Sequence, residues 1–409
     1  AASEWTRALQ AATTPHRRTG HGLQAGLRQA AAVAAAVADG SALSDAMAPS
    51  RTAALNRLAS VDEMRLTMRR INPHKAPGLD KLSPALLRHA CVVPANAPDA
   101  KLAESLQPGD PPLLPMLPAV TEFFNDLLRH PEQLPPDFTR DVVHLAYKGG
   151  GDVFTPGNFR PISVGPAQAK VVWTLLQHRL NSFAEQGDLF GPSQWGFRTD
   201  RRTEDALWLL VERVKHAWRR QPSNSSPASV WGRSVIAFFC DIRQAFDRVD
   251  HDALFSRLLE LGVRGRIWRL LRAAYLRGVK HVHLGGRVSS SSFRPTAGVA
   301  QGAAHSPDLF GLYIAAAAQA VAEAAAEARP DWVATGGAAA VFALVVILLF
   351  ADDICLLLDS QTQCQHALDV LSRCAHELNF MLHAGKTKVM IFSPPDADPS
   401  NLPAAADCV

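Results

Sequence analysis

Two stretches place carboxylates where a folded chain tolerates them least. In "SVIAFFCDIRQAFD" an apolar run leads straight into Asp241, and in "VFALVVILLFADDICLLL" Asp352 and Asp353 stand between two apolar runs. A buried charge is costly unless something compensates it. The runs are strand-like, so the acid pair reads as the tip of a β-hairpin. A lone Asp-Asp is more often an ordinary turn, because Asp is a common turn residue; the second acid-bearing strand shifts that balance. Neighbouring strand ends in one sheet would bring the three acids together, and their repulsion would demand cations. Divalent ions remove that repulsion and invert the local pKa logic. Mg2+ takes one or two carboxylates together with waters and substrate phosphates. Two such ions ~3.5–4 Å apart clamp the attacking and leaving oxygens of a phosphoryl transfer.

The elements that must position these acids are legible around them. "SVDEMRLTMRRI" is a helix signature, with Ser60 as N-cap and Glu63 three residues on. A Pro/Gly loop, "NPHKAPGLDKLSPALL", runs into a further helix, and 92–118 reads as a loop or insertion. "AVTEFFNDLLRH" is helical, "TRDVVHLAYKGGG" is a strand ending in a Gly turn, and "NFRPISVGPAQAKVVWTLL" is a strand or turn entering a long helix. "EDALWLLVERVKHAWRR" is amphipathic, "QPSNSSPAS" is a linker, and "DHDALFSRLLELG" is a helix after the Asp241 strand. "VKHVHLGG" and "VSSSSFRPTAG" are strands, and "SPDLFGLYIAAAAQAVAEAAAEA" is a long, Ala-rich helix. A helix over about 361–378 and a strand "KVMIFS" follow the acid pair. Strands separated by helices without strict βαβ repetition predict an α+β fold.

Composition narrows the classes. The 409 residues are 47% hydrophobic with a formal net charge of +4, enough for two or three subdomains with real cores. Nine Lys/Arg and one acid, Glu260, fall between Arg257 and Arg294, a basic stretch that the +4 balance hides. The six cysteines form no CxxC pair and no disulfide framework. Cys364, His366, Cys374 and His376 lie along a helix, where Cys364 and Cys374 are separated by ~15 Å, so they cannot converge on zinc. "KGGGD" lacks the phosphate-loop pattern. No run reaches membrane-helix length, so no membrane is expected.

Seven blocks, in order, resemble the reverse transcriptase domain of non-LTR retrotransposons. They are "HKAPGLDKLSPALL", "NFRPISV", "QWGFRTDRRTEDAL", "CDIRQAFDRVDHDAL", "AGVAQGAAHSPDLFGLYI", "FADD" and "LNFMLHAGKTKVMIF", together covering about residues 60–392. The resemblance implies a right-hand polymerase with fingers and palm, an antiparallel palm sheet with packed helices, and template-directed DNA synthesis. It implies a lead-in over 1–58 (helical or disordered), fingers over 59–230, palm with motifs A to D over 231–393, and a disordered tail over 394–409. By resemblance Asp241, Asp352 and Asp353 are the catalytic and metal-site acids, with Asp241 and Asp352 the stronger ligands and the Ile242 carbonyl a further one. The cofactor would be Mg2+, two ions, with Mn2+ as substitute. Phe246 would exclude a ribose 2′-hydroxyl, and Lys75 and Arg160 would meet the incoming triphosphate, as an Arg fork suits phosphate oxygens. Gln301 and Gly302 would touch the nascent base pair and template, and Lys386 would be the acid for the pyrophosphate leaving group. The basic stretch 257–294 would track the template–primer backbone. Partners would be an RNA template, a DNA primer and dNTPs, and the compartment the nucleus.

The sequence also departs from the family pattern. Ala300, Ala303, Ala304 and His305 replace usual motif B residues, Arg202 stands where Ser is common, and Gly385 directly precedes Lys386. After Phe392 the chain turns to "SPPDADPSNLPAAADCV", with neither a primer-grip block nor a thumb legible. The alternative function is therefore an inactive or repurposed relative that keeps the fold and binds RNA.

Overall fold

The computed structural model describes residues 50–91, 116–219, 233–327 and 346–396. Residues 92–115 of the predicted 92–118 loop, the predicted "QPSNSSPAS" linker, most of the 1–58 lead-in and the end of the tail lie outside the described residues; the last three positions of the predicted loop, Met116 to Pro118, instead open a helix. In chain order the elements are α1 (Ser50–Asn56), α2 (Val61–Arg70), α3 (Pro84–Cys91), α4 (Met116–Arg129), β1 (Arg140–Tyr147), β2 (Phe159–Val164), α5 (Ala167–Gln186) and α6 (Thr203–Trp218). They continue with β3 (Val235–Asp241), α7 (His251–Glu260), α8 (Arg266–Arg277), β4 (Val279–Leu284), β5 (Arg287–Phe293), α9 (Ser306–Glu327), β6 (Ile347–Phe350), β7 (Asp353–Leu358), α10 (Gln361–Glu377) and β8 (Lys388–Phe392). Among the described residues no helix is long and apolar enough to cross a membrane.

Two compact units divide the described residues. One gathers 50–91, 116–183 and 246–306; the other gathers 184–219, 233–245, 307–327 and 346–396. This compactness follows a different line from the motif-based boundary near residue 230. Residues 246–306 carry β4 and β5, and β4 joins β1 in parallel, with Asp141 opposite Lys280.

The first unit is built on a sheet of order β2-β1-β4-β5. Val143, Val282 and Phe293 form its apolar centre. Beside it, α2 begins where Ser60 accepts a hydrogen bond from the Glu63 amide, as the sequence predicts. Arg179 of α5 ties this helical layer together. It donates to both Glu63 oxygens, at 2.9 and 2.8 Å, and to the Leu55 and Arg57 carbonyls. Burial raises the Glu63 carboxyl, but Arg179, Arg57 and the hydrogen bond at Ser60 together outweigh it and the net shift is downward.

The second unit is built on a wholly antiparallel sheet, β6-β7-β3-β8. Val235 and Ala237 of β3, Leu348 of β6 and Leu357 of β7 pack with Val214 and Ala217 of α6. Alternate residues of a strand share a face. Further along that face of β3 come Phe239, already 36% exposed, and then Asp241. The helical cover runs out just before the acids.

Candidate active site

The apolar strands deliver the acids to one edge. Asp241 ends β3 and Asp353 begins β7, and the two stand directly opposite each other in antiparallel register. Side chains so placed have Cβ atoms ~4.5–5.5 Å apart. Asp352 precedes Asp353 in the turn, so the hairpin tip is Ala351–Asp352 and Asp353 is the first strand residue. Asp241 and Asp352 are half-buried and Asp353 is exposed. Partial desolvation and the neighbouring Asp241 charge raise the Asp353 carboxyl above its ordinary value, against the pull of Lys386.

Lys386 lies in the same unit. Its Nζ stands 3.4 Å from Asp241 Oδ2, an exposed ion pair of small energetic weight. The segment before it runs alongside β3: Arg243 donates to the Met381 carbonyl and His383 donates to the Asp241 carbonyl, both at 2.8 Å. Main-chain groups of successive strand residues face opposite edges. The Asp241 carbonyl faces the 381–383 segment, so the Ile242 carbonyl faces the other way, toward the β7 edge that carries Asp353.

The metal that the resemblance implies can be tested against these residues. Among the described residues no three His, Cys, Asp or Glu side chains form a ready-made metal cage. The donors that are present are hard oxygens: two opposed carboxylates, the turn carboxylate of Asp352, and the Ile242 carbonyl. This set suits Mg2+, which takes few protein ligands and keeps waters and substrate phosphates. The opposed pair also has an electrostatic reason to attract a cation, since Asp241 already draws the Lys386 ammonium. The chemistry of these donors fits the ion.

The remaining predicted residues belong to the first unit. Lys75 and Arg160 are exposed, Lys75 on the loop after α2 and Arg160 on β2 opposite Ala146. The Lys75 loop is anchored at both ends. Asp80 accepts from the Ala167 amide at the start of α5, at 2.7 Å, and Lys170 donates to the Ala76 carbonyl. A Cβ on Gly78 would fall 2.5 Å from the Gly165 carbonyl oxygen, so only glycine lets this loop approach the end of β2.

Phe246 is half-buried in a short 3-10 turn, and its carbonyl accepts from the Val299 amide at 2.7 Å. Gln301 donates to both Asp247 oxygens at 3.1 Å, while its carbonyl accepts from the Ser163 amide at 2.7 Å. Gly302 has φ +102°, and a Cβ there would fall 2.9 Å from the Ser163 carbonyl oxygen. The Gln301 amide, expected to be offered to a base pair, is thus engaged with Asp247. Burial raises the Asp247 carboxyl against Lys280, the Gln301 hydrogen bond, Lys148 and Arg248.

Sequence reasoning missed other charged residues here. Asp141, Lys170, Lys280 and His305 line, with the predicted Lys75 and Gly302, a cavity of about 330 Å³ within the first unit. Burial raises the Asp141 carboxyl and lowers the Lys280 ammonium, each held against that trend by the other. Four of the nine cations in the basic stretch 257–294 have partners within the chain. Arg257 pairs with Glu260, Arg266 donates to the Asn56 carbonyl, Arg272 lies over the Trp268 ring, and Arg277 donates to the Leu134 carbonyl. Arg277, Arg287 and Arg294 are the exposed cations of that stretch.

The acids thus stand where an antiparallel sheet ends at a hairpin, in a mixed α+β chain. The profile of the family described as reverse transcriptase (RNA-dependent DNA polymerase) matches residues 147–402, more than half of the chain, and the chain belongs to that family. It is 27% identical over 255 residues to the probable RNA-directed DNA polymerase from transposon X-element of Drosophila melanogaster, covering 60% of this chain and 24% of that protein. It is 25% identical over 343 residues to the RNA-directed DNA polymerase from mobile element jockey of Drosophila funebris, covering 82% of this chain and 32% of that protein. The chain thus spans about a quarter to a third of the length of these relatives. Among solved structures, apo telomerase from Candida tropicalis, truncated from the C-terminal domain, is 13% identical with a TM-score of 0.43 over 65% of this chain and 52% of that one.

Proposed function

We propose that the chain is the polymerising part of a non-LTR retrotransposon-like element, an RNA-directed DNA polymerase that extends a primer with dNTPs. The observation that carries this reading is the in-register opposition of Asp241 and Asp353 beside the Asp352 turn. In this reading β6-β7-β3-β8 is the palm of a right-hand polymerase, and Lys75 and Arg160 belong to its fingers. Asp241, Asp352, Asp353 and the Ile242 carbonyl would hold the divalent cations. Such ions, when bound, supply the charge that lowers the barrier to phosphoryl transfer.

The chain's own residues have these tasks. The three carboxylates orient the reacting end of the site and keep it anionic enough to recruit cations. Lys386 Nζ, already beside Asp241, gives its proton to the departing pyrophosphate. Lys75 and Arg160 hold triphosphate oxygens. The Phe246 ring takes the space of a ribose 2′-hydroxyl, which selects dNTPs. Gln301, steadied by Asp247, and Gly302, on which no side chain fits, shape the floor beneath the base pair.

Primer extension on poly(rA)/oligo(dT) with Mg2+ or Mn2+ tests the reading. Incorporation above background by the wild type and its loss in Asp352→Ala are expected. Equal behaviour of the two, with no incorporation, defeats it. The alternative is a non-catalytic RNA-binding relative. That reading predicts RNA binding that Asp352→Ala leaves unchanged, together with no incorporation.

A further inference from the structure

The hairpin that carries Asp352 and Asp353 has an unfavourable turn. Phe350 pairs with Asp353, which leaves Ala351 and Asp352 as a two-residue connection. Ala351 has φ +61°. Two-residue hairpin turns require positive φ at the first central position, where glycine is at ease and an alanine is not. Something must hold Ala351 there.

The holder is on the loop that precedes α6. Gln194 is 1% exposed. Its Oε1 accepts from the Ala351 amide at 3.0 Å, and its Nε2 donates to the Ala351 carbonyl at 3.4 Å. The same Oε1 accepts from the Gly196 amide at 2.9 Å, which fixes the side-chain orientation. Both main-chain groups of the one strained residue are thus met by one buried amide. The backbone beside it is locked to β6: Leu349 donates to the Ser193 carbonyl and Trp195 to the Leu349 carbonyl, each at 2.8 Å. Arg198 and Arg201 in turn hold the loop from behind, through the Gly191 and Pro192 carbonyls at 2.6 and 2.8 Å. Gly196 completes the fit, because a Cβ there would stand 2.4 Å from the Ala351 nitrogen.

We propose that Gln194 is a positioning residue for the acid pair: its side-chain amide holds Ala351 in the left-handed conformation and thereby sets where Asp352 and Asp353 stand. Gln194 touches no reacting atom; it acts through the turn. The metal-binding consequence rests on the function proposed above, whereas the conformational consequence does not.

The test uses the full chain with Gln194→Met, which fills the space without either hydrogen bond, and with Ala351→Gly, which adopts positive φ unaided. Gln194→Glu, which can accept from both amides but cannot donate to the Ala351 carbonyl, serves should the Met variant not fold. Amide hydrogen exchange over 347–356 is read by mass spectrometry without metal, and Mn2+ affinity is read by electron paramagnetic resonance. Exchange at the turn should accelerate at least tenfold in Gln194→Met, and Mn2+ should bind at least tenfold more weakly. Adding Ala351→Gly should bring Mn2+ affinity back to within about threefold of wild type, a rescue that mere packing would not give. Unchanged exchange at the turn, or a double variant no better than Gln194→Met, overturns the proposal. A wild type that binds no Mn2+ at the acids, with exchange still accelerated by Gln194→Met, upholds the clamp and instead removes the metal-site reading.

Discussion

If Asp241 and Asp353 repel each other across β3 and β7, Asp353→Asn should stabilise the metal-free protein. The two carboxylates are cross-strand neighbours in register. At a separation of ~5 Å their Coulomb energy is about 3 kcal/mol at an effective dielectric of ~20 and about 0.8 kcal/mol in bulk water. Asp353 is exposed, and Lys386 stands 3.4 Å from Asp241, so the lower end applies. A net gain of about 1 kcal/mol corresponds to a rise in Tm of ~1–2 °C for a chain of 409 residues unfolding as one. The sign also fixes the pH dependence. A carboxyl raised in the folded state weakens the fold only where it is ionised. The penalty is therefore absent below the ordinary value of 3.8, builds as pH rises above it, and is complete once pH passes the raised folded value. The assay is calorimetry of wild type and Asp353→Asn in EDTA, at pH 7.5 and near pH 4, repeated with saturating Mg2+. The variant should melt higher in EDTA at pH 7.5, the gap should close near pH 4, and Mg2+ should raise wild type more than the variant. A variant that melts at or below wild type in EDTA at pH 7.5 refutes the clustered-charge reasoning.

Other perturbations probe the rest of the account. Phe246→Ala should admit ribonucleotides, lowering dNTP over rNTP discrimination at least tenfold in single-nucleotide primer extension; an unchanged ratio removes its gate role. His305 is buried against Trp173 and Tyr275, and burial lowers its pKa to about 4. Because the unfolded imidazole takes its proton near 6.5, stability should fall between pH 6.5 and 4 by up to about 1.4 kcal/mol per pH unit. In His305→Gln, pH-dependent denaturant melts should lose that slope. Gly302→Ala combines φ +102° with a Cβ 2.9 Å from the Ser163 oxygen, and should cost about 1–3 kcal/mol in chemical denaturation. A neutral result would show that β2 gives way there.

Much of the site's skeleton was readable because local pattern determined it. The apolar runs before Asp241 and around Asp352–Asp353 read as strand-like, and their described parts pair as neighbours in one antiparallel sheet. The Ser60 cap and the bounds of α10 followed from capping and periodicity alone. What escaped was set by long-range partners. Whether Gln301 faces a substrate or Asp247 is not written in motif B, and nothing near Gln194 announces that it meets Ala351, 157 positions on. The count of nine cations between 257 and 294 carried no information about which of them find carbonyls, a glutamate or an indole as partners. The parallel pairing of β1 with β4 joins strands more than a hundred residues apart, so no local signal marks the compact units. The KAPG loop was legible as a loop, but the reason for its glycine, contact with Gly165, needed the fold.

The central claim is that Asp241, Asp352 and Asp353 hold divalent cations for nucleotidyl transfer. Its most direct test is a count of bound Mn2+ by electron paramagnetic resonance, on the chain with template–primer and a non-hydrolysable dNTP analogue. The account predicts two ions per chain in the wild type and in Phe246→Ala, and loss of at least one ion in Asp241→Asn and in Asp352→Asn with the fold intact. The same Mn2+ stoichiometry in both Asn variants as in wild type would contradict it.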